Sequence, residues 1–153
     1  MIIMVKKTAE KKCKMVKFFV AGRPIPQGSK ALGRTKDGRF FVRESNKNLA
    51  VWRQRISTEA QKAQEREHFF DEDAIGYIVN LHFHFPRPKS LPKRIKSMVK
   101  RPDIDKIQRA VLDGVTGILI ADDSQVFAIT ARKRYAEGEQ PPGVEISIRR
   151  YYD

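Results

Sequence analysis

Ile75-Gly-Tyr-Ile-Val-Asn-Leu-His-Phe-His-Phe85 alternates apolar and polar residues, and that period of two decides the class of fold. Tyr77, Val79, Leu81, Phe83 and Phe85 fall on one side, Asn80, His82 and His84 on the other, so the stretch reads as a half-buried strand. Before it, Leu49, Trp52, Ile56, Ala60 and Ala63 recur at helical spacing, with Ser45 or Asn46 available as N-cap. After it comes Pro86–Arg101, with seven basic residues, three prolines and no acid, which reads as a cationic loop. A second helix then carries the stripe Ile104, Ile107, Val111, Val115 and Ile118 and breaks near Gly114 or Gly117. Further out, Met15–Gly22 and Phe40–Arg43 are strands around a polar loop, Gln27–Gly38. Val126–Tyr135 and Val144–Tyr151 are two more, expected as a hairpin across a Gly/Pro turn. The order predicts an α+β fold: one domain over 15–153, a mixed β-sheet with two main helices packed on it and a C-terminal β-hairpin. Residues 1–14, Lys-rich and without usable period, are expected to be a flexible extension.

Composition bounds the partners. The 153 residues suit one domain, and 41% hydrophobic content is enough for a core. The balance of 31 Lys+Arg against 18 Asp+Glu leaves a net charge of +13, which favours a polyanion, above all nucleic acid. One cysteine, Cys13, excludes an internal disulfide framework and multi-cysteine metal sites. No apolar run approaches the roughly 18 residues of a membrane span. Met1–Val5 is too short for a signal peptide, so a cytoplasmic location without membrane partners is expected.

Charge supplies affinity but no chemistry. The chemistry-bearing residues are the acids of this basic chain. Asp103 and Asp105 stand where the cationic loop meets the second helix, Asp113 lies inside that helix, and Asp122 and Asp123 sit in the turn after it. If the chain folds back beside the helix, Asp123 approaches the first pair. Converging carboxylates call for a hard divalent cation, Mg²⁺ or Mn²⁺. Such an ion ringed by Lys and Arg suits phosphodiester cleavage. The alternative is ordinary: helix-cap acids at Asp103 or Asp105 and a plain turn at Asp122–Ser124.

The run Arg101-Pro-Asp-Ile-Asp-Lys-Ile-Gln-Arg-Ala-Val-Leu-Asp-Gly-Val-Thr-Gly117, followed by Ala121-Asp-Asp-Ser-Gln-Val126, resembles the RusA family of Holliday-junction resolvases. Gly22-Arg-Pro-Ile-Pro-Gln-Gly-Ser-Lys30 and Ala131-Arg-Lys-Arg-Tyr135 look like segments of the same family. The resemblance implies a homodimeric, Mg²⁺-dependent endonuclease, with Mn²⁺ as substitute and no small-molecule cofactor, that nicks four-way DNA junctions symmetrically. It implies Asp103, Asp105 and Asp123 as catalytic metal ligands, with Asp122 accessory. The family's functional lysine falls at Arg109, which keeps the charge but not the capacity to donate a proton. Its usual asparagine after the D-x-D is Lys106, a second departure that adds a cation beside the acids.

Lys30, Arg34, Lys36 and Arg39 in or beside the first loop, and Lys96, Lys100 and Arg101 in the second, are expected to contact the DNA backbone, with Lys106. His82 and His84 share a strand face, but the ligand count for zinc is short, and a surface or dimer-face role is expected. Trp52 and Phe41 could stack on bases, though helical spacing makes Trp52 a core residue. Rival readings are a non-catalytic nucleic-acid-binding module and a nuclease of the same chemistry acting on flaps or forks.

Overall fold

The central strand of the observed sheet is the alternating stretch. In the computed structural model, which describes residues 14–28, 30–44 and 48–153, with side chains everywhere but 30–32 and 41–44, strand β4 spans Gly76–Phe85. Its neighbours are β6 (Gly143–Tyr151), antiparallel, and β5 (Val126–Tyr135), parallel. Strand β1 (Met15–Ala21) closes the other side against β6, giving the order β1-β6-β4-β5. Helix α1 spans Leu49–Glu67 and helix α2 spans Ile104–Val115. They pack against each other on one face of the sheet, α1 over β1 and α2 beside β5.

The core follows from the periods. Tyr77, Val79, Leu81, Phe83 and Phe85 are all buried, as are Val144, Ile146 and Ile148 of β6 and Val16 and Val20 of β1. Leu49, Trp52, Ile56, Ala60 and Ala63 of α1 are buried opposite them, which places Trp52 in the core. From α2 come Ile107, Ala110, Val111 and Val115, while Ile104 at its start stays exposed. Gly114 does not end α2. It lies inside the helix, buried against Ile56, and a Cβ there would meet Ile56 Cγ2 at 2.6 Å. The turn comes at Gly117, with φ +83°.

Two expectations are corrected. Strands β5 and β6 are both present and run antiparallel, but they are not a hairpin, because β4 lies between them. The connecting residues 136–142 step across the end of β4, where the Ala136 N–H donates to the Phe85 carbonyl. The step gives the most apolar strand two partners and leaves β5, rich in Arg and Lys, at the sheet edge. The loop expected over Gln27–Gly38 contains a strand, β2 (Lys30–Arg34), paired antiparallel with β3 (Phe40–Glu44) as a separate two-stranded ribbon. Its turn is closed by the Thr35 N–H on the Arg39 carbonyl at 2.8 Å, with Gly38 at φ +89°.

The Ser45 and Asn46 caps, Cys13, and nearly all of the expected N-terminal extension lie outside the described residues; the N-cap of α1 is Asn48. Lys14 is tied to the domain: its carbonyl accepts from the Arg150 N–H, and its amine donates to the Glu67 carbonyl.

Candidate functional site

Asp103 is the N-cap residue of α2, yet its side chain makes no cap hydrogen bond. The carboxylate stands exposed, 3.8 Å from the Lys106 amine one turn on. Two backbone anchors hold this corner. The Gln27 N–H donates to the Lys106 carbonyl at 3.0 Å, pinning the Gly22–Gly28 segment to the first turn of α2. From beneath, the Lys133 amine donates to the Lys100 and Pro102 carbonyls, each at 2.7 Å. Between these anchors opens a cavity of about 600 Å³ whose walls include Arg23, Arg101, Asp103 and Lys106.

Further along α2, Asp105, Arg109 and Asp113 follow at i, i+4 and i+8 and so share one helix face. Asp105 and Arg109 are exposed, and neither side chain makes a hydrogen bond or ion pair among the described residues. At the far end, Asp113 and Asp123 line a second cavity of about 500 Å³, together with Arg53, Gln54 and Ser57 of α1. Asp122 heads the single turn Asp123–Gln125. It accepts from the Ser124 N–H at 3.0 Å while its own N–H donates to the Gln125 side chain at 3.2 Å. That capping box lowers the Asp122 pKa, chiefly through the Ser124 amide. The neighbouring Asp122 carboxyl shares a hydrogen bond with Asp123 and raises its pKa, with lost solvation and the charges of Asp122 and Asp113 adding to the effect.

The fold thus spreads the carboxylates along α2. A helix of 12 residues is about 18 Å long, so Asp103 and Asp113 mark opposite ends. Asp123 sits beside Asp113, and no three His, Cys, Asp or Glu side chains among the described residues converge as a metal cage. The donor chemistry still suits a hydrated hard cation. The oxygens are exposed, Asp105 is unpaired, and the crowded Asp122–Asp123 pair is one whose repulsion a cation would relieve. Mg²⁺ commonly takes only one or two carboxylates and keeps water on its remaining positions.

The basic residues divide. Arg34 stands exposed at the ribbon end with its guanidinium 5.4 Å over the Phe40 ring, and Lys36 is exposed at the tip. Arg39 is exposed beside Asp37 at 3.4 Å. Lys30 lies in β2. Lys100 and Arg101 are exposed next to Asp103. Lys96 is less available, because Glu137 pairs with it at 2.8 Å. The loop is no loose tether: Met98 is buried, and Arg87 turns inward to donate to the Ile95 and Pro92 carbonyls.

The family model for endodeoxyribonuclease RusA matches residues 21–149, most of the chain and all of the elements just described except β1 up to its last residue and the last two residues of β6. The chain belongs to the RusA endodeoxyribonuclease family. It is also 27% identical over 142 residues to the uncharacterised protein YqaN of Bacillus subtilis (strain 168), covering 88% of this chain and 95% of that protein. As a RusA-family domain it brings two groups to the site that spacing did not single out. Asp113, named among the acids but given no role, shares one face of α2 with Asp105 and meets Asp123 only because the turn after the helix comes back beside it. Arg23 joins Asp103 only through the folding of the Gly22–Gly28 segment onto α2, which no local pattern announces. No helix among the described residues is long and apolar enough to cross a membrane.

Proposed function

We propose that this chain is a divalent-metal-dependent endonuclease that resolves four-way DNA junctions by paired, symmetric nicks. The observation that carries the reading is the row of exposed carboxylates along α2, open at Asp103 and Asp105 and flanked by cations of the second loop and by Lys106. Asp103 and Asp105 are the proposed ligands of Mg²⁺ or Mn²⁺; Asp123, beside Asp113 at the far end of α2, stands too far from them within one chain to share that ion and is proposed as a separate carboxylate of the site. Asp122, committed to its cap, is accessory. Bound there, the ion would lower the pKa of a water and stabilise charge on the phosphate. The chain's own residues do the rest. Arg34, Lys36, Arg39, Lys100 and Arg101 hold the backbone on either side of the cut. Arg109, permanently charged and one turn from Asp105, stabilises the phosphate electrostatically and does not donate a proton. Lys133 holds the carbonyls that orient Asp103. Two copies are proposed to act together, because a junction offers matching opposed strands and a two-fold dimer presents one site to each.

The test is cleavage of an end-labelled four-way junction in Mg²⁺ and in EDTA, beside a linear duplex and a flap. Mg²⁺-dependent nicks at symmetric positions, confined to the junction, support the reading. Nicks on the flap alone move the substrate to branched intermediates. Tight binding without cleavage makes the domain a binding module, a reading favoured locally by the capping box of Asp122.

A further inference from the structure

The 600 Å³ cavity at the head of α2 includes Arg101, proposed above for the DNA backbone, but also has apolar lining that backbone binding does not use. Its two guanidinium groups, Arg23 and Arg101, make no hydrogen bond or ion pair among the described residues. Exposed cations without a partner, facing one concavity, offer charge to an anion. The lining also holds Pro24, Ile25, Pro26 and Pro102, which offer apolar surface beside the polar Asn48, Asp103 and Lys106. A smaller cavity of about 220 Å³ shares Arg23 and Ile25 with it and is lined in turn by Trp52. A site for phosphate alone needs no such lining. A volume of this size is that of a small-molecule pocket. Its combination of an anion grip with proline-rich apolar lining fits a nucleotide, with the phosphate at the guanidinium groups and the base against the prolines.

We propose that this cavity is a nucleotide subsite, taking one nucleotide unstacked from the bound strand, its phosphate between Arg23 and Arg101 and its base against the Pro24–Pro26 wall. The inference rests on the nuclease reading for the origin of that nucleotide. Its chemistry stands on the cavity. Junction branch points are where unstacking costs least, and enzymes that need a base outside the helix hold it in such pockets.

The experiment is a titration of the full chain with thymidine 5′-monophosphate, followed by ¹⁵N–¹H NMR. Trp52, the single tryptophan, supplies one indole signal beside the cavity. Saturable shifts confined to residues 22–28, 101–106 and the Trp52 indole are expected, with Arg23→Gln and Arg101→Gln each weakening binding about tenfold. Absence of saturable shifts, shifts centred elsewhere, or the same shifts from inorganic phosphate alone overturn the subsite. Loss of junction cleavage with mononucleotide binding intact counts against the nuclease reading and not against the subsite.

Discussion

Asp103 and Asp122 show how one residue type at one kind of position comes to different uses. Both head a helical turn, but Asp122 spends its carboxylate on the Ser124 amide, whereas Asp103 makes no cap bond and faces the Lys106 amine instead. Asp105→Asn, removing an unpaired carboxylate, is expected to lower junction cleavage at least about 100-fold while leaving binding equal or tighter, since one repulsive charge near phosphate is gone. Loss of binding with cleavage, seen in a gel-shift titration, would instead make Asp105 structural. Lys133 acts at the same scale, holding two carbonyls beneath Asp103. Lys133→Met should reduce the rate of cleavage at saturating enzyme by about 10-fold or more, with junction affinity little changed, in a single-turnover assay.

Elements depend on close contacts that helical and strand periods do not reveal. Gly114 lets α2 settle on Ile56, and the Ser57 hydroxyl donates to its carbonyl at 2.8 Å. Gly114→Ala gains helix propensity but must push Ile56 aside; a net loss of about 1–3 kcal/mol is expected, read as a lower urea midpoint. On the uncovered face of the sheet, burial holds the His84 imidazole below its ordinary value of 6.5. The unfolded chain therefore takes up that proton first, and stability falls as pH drops from 6.5 toward the folded value. Glu145, its pKa lowered by the Lys17 ammonium, adds a loss at lower pH, below its ordinary 4.5. Thermal melts between pH 7 and pH 5 should show the first decline, and His84→Gln should flatten it.

At the scale of the whole molecule, the charge of +13 is distributed over projecting parts: the ribbon tip, the second loop and the sheet edge. Junction affinity should therefore fall steeply with salt. Arg34→Ala with Lys36→Ala should lower the magnitude of the log–log salt slope by about 2 without changing which strands are cut. An unchanged slope would place the ribbon off the DNA.

Much of this architecture is local and was legible as such. The buried face of β4 and all five buried positions of α1 follow from periods of 2 and 3.6, because burial of one face is a property of a single segment. The motif of Asp103, Asp105 and Asp122–Asp123 was equally plain, since those residues lie close in sequence. What the sequence could not express were choices between partners distant along the chain. Whether β6 pairs with β5 or with β4 depends on which arrangement best covers the most apolar strand. Whether Gln27–Gly38 forms a ribbon depends on β3 meeting β2. The spread of the carboxylates along α2, and the meeting of Arg23 with Arg101, were decided by where α2 lies against its neighbours. Residue periods specify which face of an element is apolar; only packing of those faces fixes which elements, and therefore which charged groups, become neighbours.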